Sequence, residues 1–312
     1  MKSTLLILSF LLWAYSGYSQ DDTSDVEAVR NTVNLSEVVV RSGLNVSRFL
    51  QLVKNDTTFF KAFKNLRVLG FSAINDVRML DKKGAVKASL KSKTKQLVSG
   101  GCRTMQVLEE QHSGDIYEGA GFNYYTAQLY ASLLFTNGKV CGDNNIVKGI
   151  DVEVRSKGGI ERHKEQLKMM FFNPGKKIPG IPFIGDKLDL FDRDIAVYYD
   201  YIIDMIDYNG KPCYKFSIKS KENLSGSEKD RIVFDNLITW FNTKTMEIVG
   251  REYDLSYNTG LYDFDVHMEV QMTKFDGYLV PSLIRYKGTW DVAFKKRENG
   301  LFTAILYDFN HG

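Results

Sequence analysis

Four polar side chains stand in one alternating row: Asp263, Asp265, His267 and Glu269, separated by Phe264, Val266, Met268 and Val270. A period of two puts all four on one face of a strand. Carboxylates and an imidazole are the right groups for a metal ion or for acid–base work. Same-face neighbours, however, stand about 7 Å apart along a strand. A metal held by Asp263, Asp265 and His267 therefore needs help from an adjoining strand. The plainer reading is the wet face of a half-buried strand, with no metal. The other histidines, His112, His163 and His311, are isolated in sequence. No nucleophile elbow, metalloprotease, phosphate-loop or dinucleotide fingerprint occurs, so no catalytic residue and no cofactor is expected.

Three cysteines remain: Cys102, Cys141 and Cys213. In an oxidising compartment one pair bridges and one thiol is left over. Cys213 falls on the charged, half-exposed face of a hairpin described below, which favours Cys102–Cys141. Three unpaired thiols are the alternative. On the strand 85–98, Lys87, Lys91, Lys93 and Lys95 line one face and read as a solvated surface that discourages edge pairing. The net charge of +3 gives no reason to expect nucleic acid as a partner.

The elements that must position these groups are mostly strands. Aromatic residues are 13% of the 312, and there are only five prolines; aromatics suit a pleated surface. Lys2 followed by the apolar Leu5–Trp13 run reads as a cleaved signal peptide over 1–20, which implies an exported, periplasmic protein. No later stretch is apolar enough for a transmembrane helix. Residues 21–44 read as a loose segment with a short strand at Ser36–Val40. Residues 45–312 read as a single β-rich domain, with a helical and apolar-loop insert near 120–193.

Val46, Phe49, Leu50 and Val53, then Phe59, Phe60, Phe63 and Leu66, keep helical spacing. Asp56 between them makes this one kinked helix or two short ones. A hairpin follows over 67–98. The segment 124–135 reads as a helix capped by Asn123 and ended by Asn137-Gly138, with a hairpin turned at Asn137-Gly138 as the alternative, and 160–171 reads more clearly as a helix. The stretch 173–185 holds three of the five prolines yet is apolar, so it must pack on something. From 194 on the chain reads as an antiparallel meander. Asn209-Gly210 closes a two-residue hairpin whose pairs sum to 419, setting Tyr201 against Ile218 and Asp204 against Lys215. Asn299-Gly300 is read the same way, with Trp290 opposite Phe309. At Asp276-Gly277 a two-residue loop puts Glu269 opposite Ile284, so a three-residue loop is expected there.

The run Trp240–Tyr253 (WFNTKTMEIVGREY), in a chain ordered as signal peptide, amphipathic helix, strands, insert and meander, resembles the outer-membrane lipoprotein-carrier proteins of the LolA-like fold. The likeness spans about 45–310. It implies a mainly β (α+β) fold: a curved antiparallel sheet or unclosed β-barrel with helices as a lid, and acyl chains bound inside. A weaker likeness, Leu35–Val40, is to the segment that precedes plugs of TonB-dependent receptors. The expected function is thus an exported carrier for a hydrophobic lipid or acyl ligand, met by Phe171, Phe172, Ile178, Ile181 and Phe183 with Trp240 and Trp290 from the sheet. The alternatives are a metal-dependent or acid–base hydrolase on the sheet, and a structural partner of an outer-membrane protein that offers its Val38–Val40 strand.

Overall fold

The computed structural model describes residues 21–147, 166, 169–178, 181, 184–258, 262–292 and 297–312. One sheet dominates. Its order is β1 (Val33–Leu35), β8 (Tyr199–Tyr208), β9 (Lys211–Ser220), β10 (Phe234–Asn242), β11 (Ile248–Asn258), β12 (Tyr262–Phe275), β13 (Tyr278–Val292), β14 (Glu298–Asn310), β2 (Gly70–Leu80), β3 (Val86–Ser99), β4 (Cys102–Ser113) and β7 (Val140–Cys141). All neighbours are antiparallel except β1 and β8. The sheet curves but does not close, because β1 and β7 end it at separate edges.

The strands alternate buried and exposed residues: Tyr199, Tyr201 and Ile203 against Asp200 and Ile202 on β8, or Ala88, Leu90, Ser92, Thr94 and Gln96 against the lysines on β3. The buried set makes the concave face. Helices cover it. In α1 (Asp21–Arg30) Val26 and Val29 are buried, so this segment is an ordered helix rather than loose chain. In α3 (Val46–Asn55) Phe49 meets Tyr214, Phe216 and Phe241 edge-on. A break at Asp56 starts α4 (Thr58–Asn65), where the Asp56 carboxylate accepts from the Thr58 amide at 3.1 Å. The described residues of the apolar stretch lie over the same face, with Ile178, Ile184, Leu188, Leu190 and Phe191 buried. Residues 169–172 are helical; the rest of the helix expected over 160–171 lies outside the described residues, Gln166 apart.

Several expectations are corrected. Ser36–Val40 is not a strand: Glu37–Ser42 forms a helix, α2, and the short strand is β1 just before it. The Val40 amide donates to the Ser36 carbonyl at 3.1 Å, four residues back, and only Val39 is buried while Glu37, Val38, Val40 and Arg41 face water. Asn209-Gly210 is the expected turn, with φ of 53° and 75° and Tyr201 opposite Ile218. Asn299-Gly300 is no turn at all. Both residues lie inside β14, opposite Thr289 and Gly288 on one side and Leu80 and Met79 on the other. Asp276-Gly277 is a two-residue turn, with Phe275 opposite Tyr278 and φ of 44° and 79°. The phase is restored further on, by a bulge at Ser282 that brings Val270 opposite Ile284 and Met268 opposite Tyr286. Pro281 beside it has no amide to give to a ladder, and a bulge tolerates that.

Candidate functional site

The predicted ligand residues converge, but on solid packing. Phe171, Phe172, Ile178, Ile181 and Trp290 are all buried in the one core. Phe171 meets Tyr286 and Trp290, and its carbonyl accepts from the Tyr253 hydroxyl at 2.6 Å. Phe172 packs on Phe60 and Phe63. Trp240 stands apart on the outer face, stacked on Tyr208 at 4.4 Å over Gly250. Phe183 lies outside the described residues. The voids inside are small, about 60 Å³ beside Phe172 and about 20 Å³ beside Arg251.

The roomy apolar space is elsewhere, at the β3–β4 end of the sheet. Its origin is a mismatch of lengths. Helix α5 (Tyr125–Leu134) has 10 residues and β4 has 12. At about 1.5 Å and about 3.4 Å per residue, a helix of that length spans less than half such a strand. So β4 is part-buried only over its first four residues and exposed beyond them. What remains is an open groove of about 670 Å³. Met105, Val107, Ser92 and Thr94 form its floor. Ala131, Phe135 and Gln128 form the helix wall, and Tyr117 and Phe122 from the small hairpin β5–β6 (Tyr117–Glu118, Gly121–Phe122) close one end. Val107 is 57% exposed, a large apolar side chain left in water.

Helix α5 is positioned by residues distant in sequence. The expected cap, Asn123, instead donates to the Asp115 carbonyl at 2.9 Å. The amides of the first turn are taken by Glu298 of β14, whose carboxylate accepts from Tyr125 N at 2.8 Å, Thr126 N at 2.9 Å and the Thr126 hydroxyl at 2.9 Å. A carboxylate at a helix N-terminus satisfies orphan donors and complements the helix dipole. Gly300 lets the helix sit this close, since a Cβ there would stand 2.7 Å from Thr126 Cγ2. Further along, the Tyr130 hydroxyl donates to Asn75 at 2.6 Å, and the Thr136 hydroxyl donates to Gln96 at 2.8 Å. Arg103 bonds both Thr136 and Asp143.

The module is closed by a disulfide, Cys102–Cys141, the pair expected from sequence. It joins the first residue of β4 to β7, just past α5, so floor strand and lid helix belong to one loop. Cys213 is free and fully buried, not half exposed, and burial pushes its thiol above the ordinary value. At the mouth of the groove the Tyr117 hydroxyl donates to Glu110 at 3.0 Å. Partial burial, with that carboxylate beside it, pushes the phenol up to about 12.

The polar row on β12 is divided. Asp263 pairs with Arg297 at 3.6 Å. Asp263 and Asp265 line an open polar cleft with Asp235, Lys229 and Asn258. His267 instead meets β11: its Nδ1 lies 2.7 Å from Asp254, and Glu252 completes a cluster whose ligand atoms are all within 4.8 Å of one another. Period two predicts the shared face; the partner strand depended on register and was not legible. Among the described residues no helix is long and apolar enough to cross a membrane.

No family model matches the chain, and no curated protein matches it by sequence. Three solved structures overlap it in outline. A DUF1329 family protein from Desulfovibrio piger has 11% identity and a TM-score of 0.26, covering 81% of this chain and 90% of its own. A putative outer membrane lipoprotein-sorting protein domain from Vibrio parahaemolyticus has 9% identity and a TM-score of 0.26, with 81% and 90% covered. A LolA superfamily protein from Nitrosomonas europaea has 7% identity and a TM-score of 0.24, with 81% and 92% covered. Overlap at this level is a likeness of outline, and no activity is carried across from it.

Proposed function

We propose that this is an exported protein that binds the acyl chain of a lipid or lipid-like molecule in the groove between α5 and β3–β4. One observation carries the reading: about 670 Å³ of open space, with Met105 and Val107 on its floor, that the short lid helix leaves uncovered. That size is typical of small-molecule sites, which combine apolar walls with a few polar groups. Here the polar groups are Ser92, Thr94 and Thr136 at the helix C-terminus and the Glu110–Tyr117 pair at the mouth. Burying each methylene contributes about 0.8 kcal/mol. Six to eight of them supply roughly 5–6 kcal/mol, a gross gain that places affinity no tighter than the micromolar range. Behind α5 the 60 Å³ void beside Phe172, which shares Ser132 with the groove, is too small for an acyl chain, so the groove alone takes the ligand. The signal-like N-terminus and the Cys102–Cys141 bridge both fit an oxidising compartment.

The test is a titration with a dansyl-labelled fatty acid. Saturable binding is expected, weakened about tenfold or more by Val107→Asp, which puts a charge on the floor. Absence of saturable binding, or equal affinity in the variant, would refute the assignment.

A further inference from the structure

We propose that Glu252, Asp254 and His267 form a site for a divalent transition-metal ion of the zinc class on the outer face of the sheet. This site is independent of the groove.

Glu252 and Asp254 are successive same-face residues of β11, and His267 sits directly across from Asp254 on β12. The cross-strand neighbour removes the spacing problem that a single strand poses. Adjacent strands lie only about 4.8 Å apart, against about 7 Å between same-face residues along one strand. The three donor groups therefore approach within 4.8 Å of one another. All three are half-buried, so their backbone is fixed by the sheet while water can fill the remaining coordination positions. An imidazole with two carboxylates suits Zn²⁺ and its neighbours, which take nitrogen and oxygen at about 2.0–2.2 Å. Mg²⁺ and Ca²⁺ favour oxygen throughout.

The charges around the cluster leave it short of cations. Glu269, next to His267 on β12, is already held by Arg285 at 2.8 Å and by Gln271. Opposite Glu252 and Asp254, β10 offers only Ile238 and Asn236. Lys287 lies across from His267 but is exposed to solvent. Among the described residues, Glu252 makes no ion pair and Asp254 pairs only with His267. Two carboxylates thus face one imidazole. A bound dication supplies the missing charge.

The experiment uses the whole chain, stripped with EDTA and titrated with ZnCl₂ by calorimetry, with Co²⁺ absorption as a second readout. One saturable equivalent is expected, with little heat from MgCl₂. His267→Ala and Glu252→Gln each weaken binding about tenfold or more, while Asp263→Asn on the same strand does not. A circular-dichroism melt of each variant checks that the sheet is intact. No saturable Zn²⁺ binding, or the same affinity in folded His267→Ala, would overturn the assignment.

Discussion

Removing the disulfide by Cys102→Ser with Cys141→Ser is expected to loosen the groove before the rest of the sheet. The bridge spans a sequence separation of 39, and closing a loop of that length restricts the unfolded chain by about 4 kcal/mol. The loop contains β4, the β5–β6 hairpin, α5 and β7, so it contains both floor and lid. β7 is held by only two backbone pairs, Cys102 with Cys141 and Arg103 with Val140. Without the bridge it keeps those pairs, the Gly142 amide bond to the Gly101 carbonyl at 3.2 Å and the Arg103–Asp143 ion pair, and a part-exposed ion pair contributes at most about 1 kcal/mol. α5 itself keeps its Glu298, Asn75 and Gln96 contacts. The loss at the midpoint in urea is therefore expected to be about 3–4 kcal/mol, read by fluorescence of Trp290 in the core. Amide exchange of β4 and β7 should accelerate at concentrations of urea below that transition. A loss under about 1 kcal/mol, with β4 and β7 exchange unchanged, would refute the idea that the bridge holds the lid.

Three other perturbations address how the lid and cover are held. Glu298→Gln keeps the shape but removes the charge facing the α5 N-terminus; a cost of about 1–2 kcal/mol is expected in urea melts, with faster exchange at Tyr125 and Thr126. Gly300→Ala forces a methyl against Thr126, and a loss of about 1–3 kcal/mol is expected, reduced when Thr126→Ala is added. Lys176 donates to the Val53 and Lys54 carbonyls at the end of α3, and burial is the main cause lowering its ammonium to about 8. Its folded value lies below the unfolded 10.5, so the unfolded chain binds the extra proton between the two. Stability of the native protein relative to Lys176→Met should therefore rise from pH 8 toward 10.5 and flatten below 8; a flat difference across that window would contradict the assignment.

The same dipeptide shows how far sequence reading reaches. Asn209-Gly210 is flanked by strands whose charged and apolar faces match only in the two-residue register, and the structure keeps that register. Asn299-Gly300 offers an equally good local match, yet its glycine serves a long-range need, the approach of α5 at Thr126. Nothing within ten residues of Gly300 signals a helix that precedes it by more than 160 positions. The phase defect near Asp276-Gly277 was legible, because Glu269 cannot face Ile284's side of the sheet; its location at Ser282 was not. The disulfide followed from elimination, although the premise of an exposed Cys213 was wrong. The apolar residues of 169–184 were legible as packing residues. Their density follows from a three-dimensional fit between this segment and the sheet, and the open space follows from where α5 ends over β4. Neither length mismatch nor cross-strand partners such as His267 and Asp254 leave a trace in periodicity.

The claim that the groove takes an acyl chain is tested most directly by native mass spectrometry of the gently purified protein, alongside Ala131→Trp, which fills the groove from its helix wall. The account predicts a lipid-sized adduct on the unaltered protein and its loss in the folded variant. No adduct on either, even after incubation with fatty acid, or the same adduct on both, would contradict it.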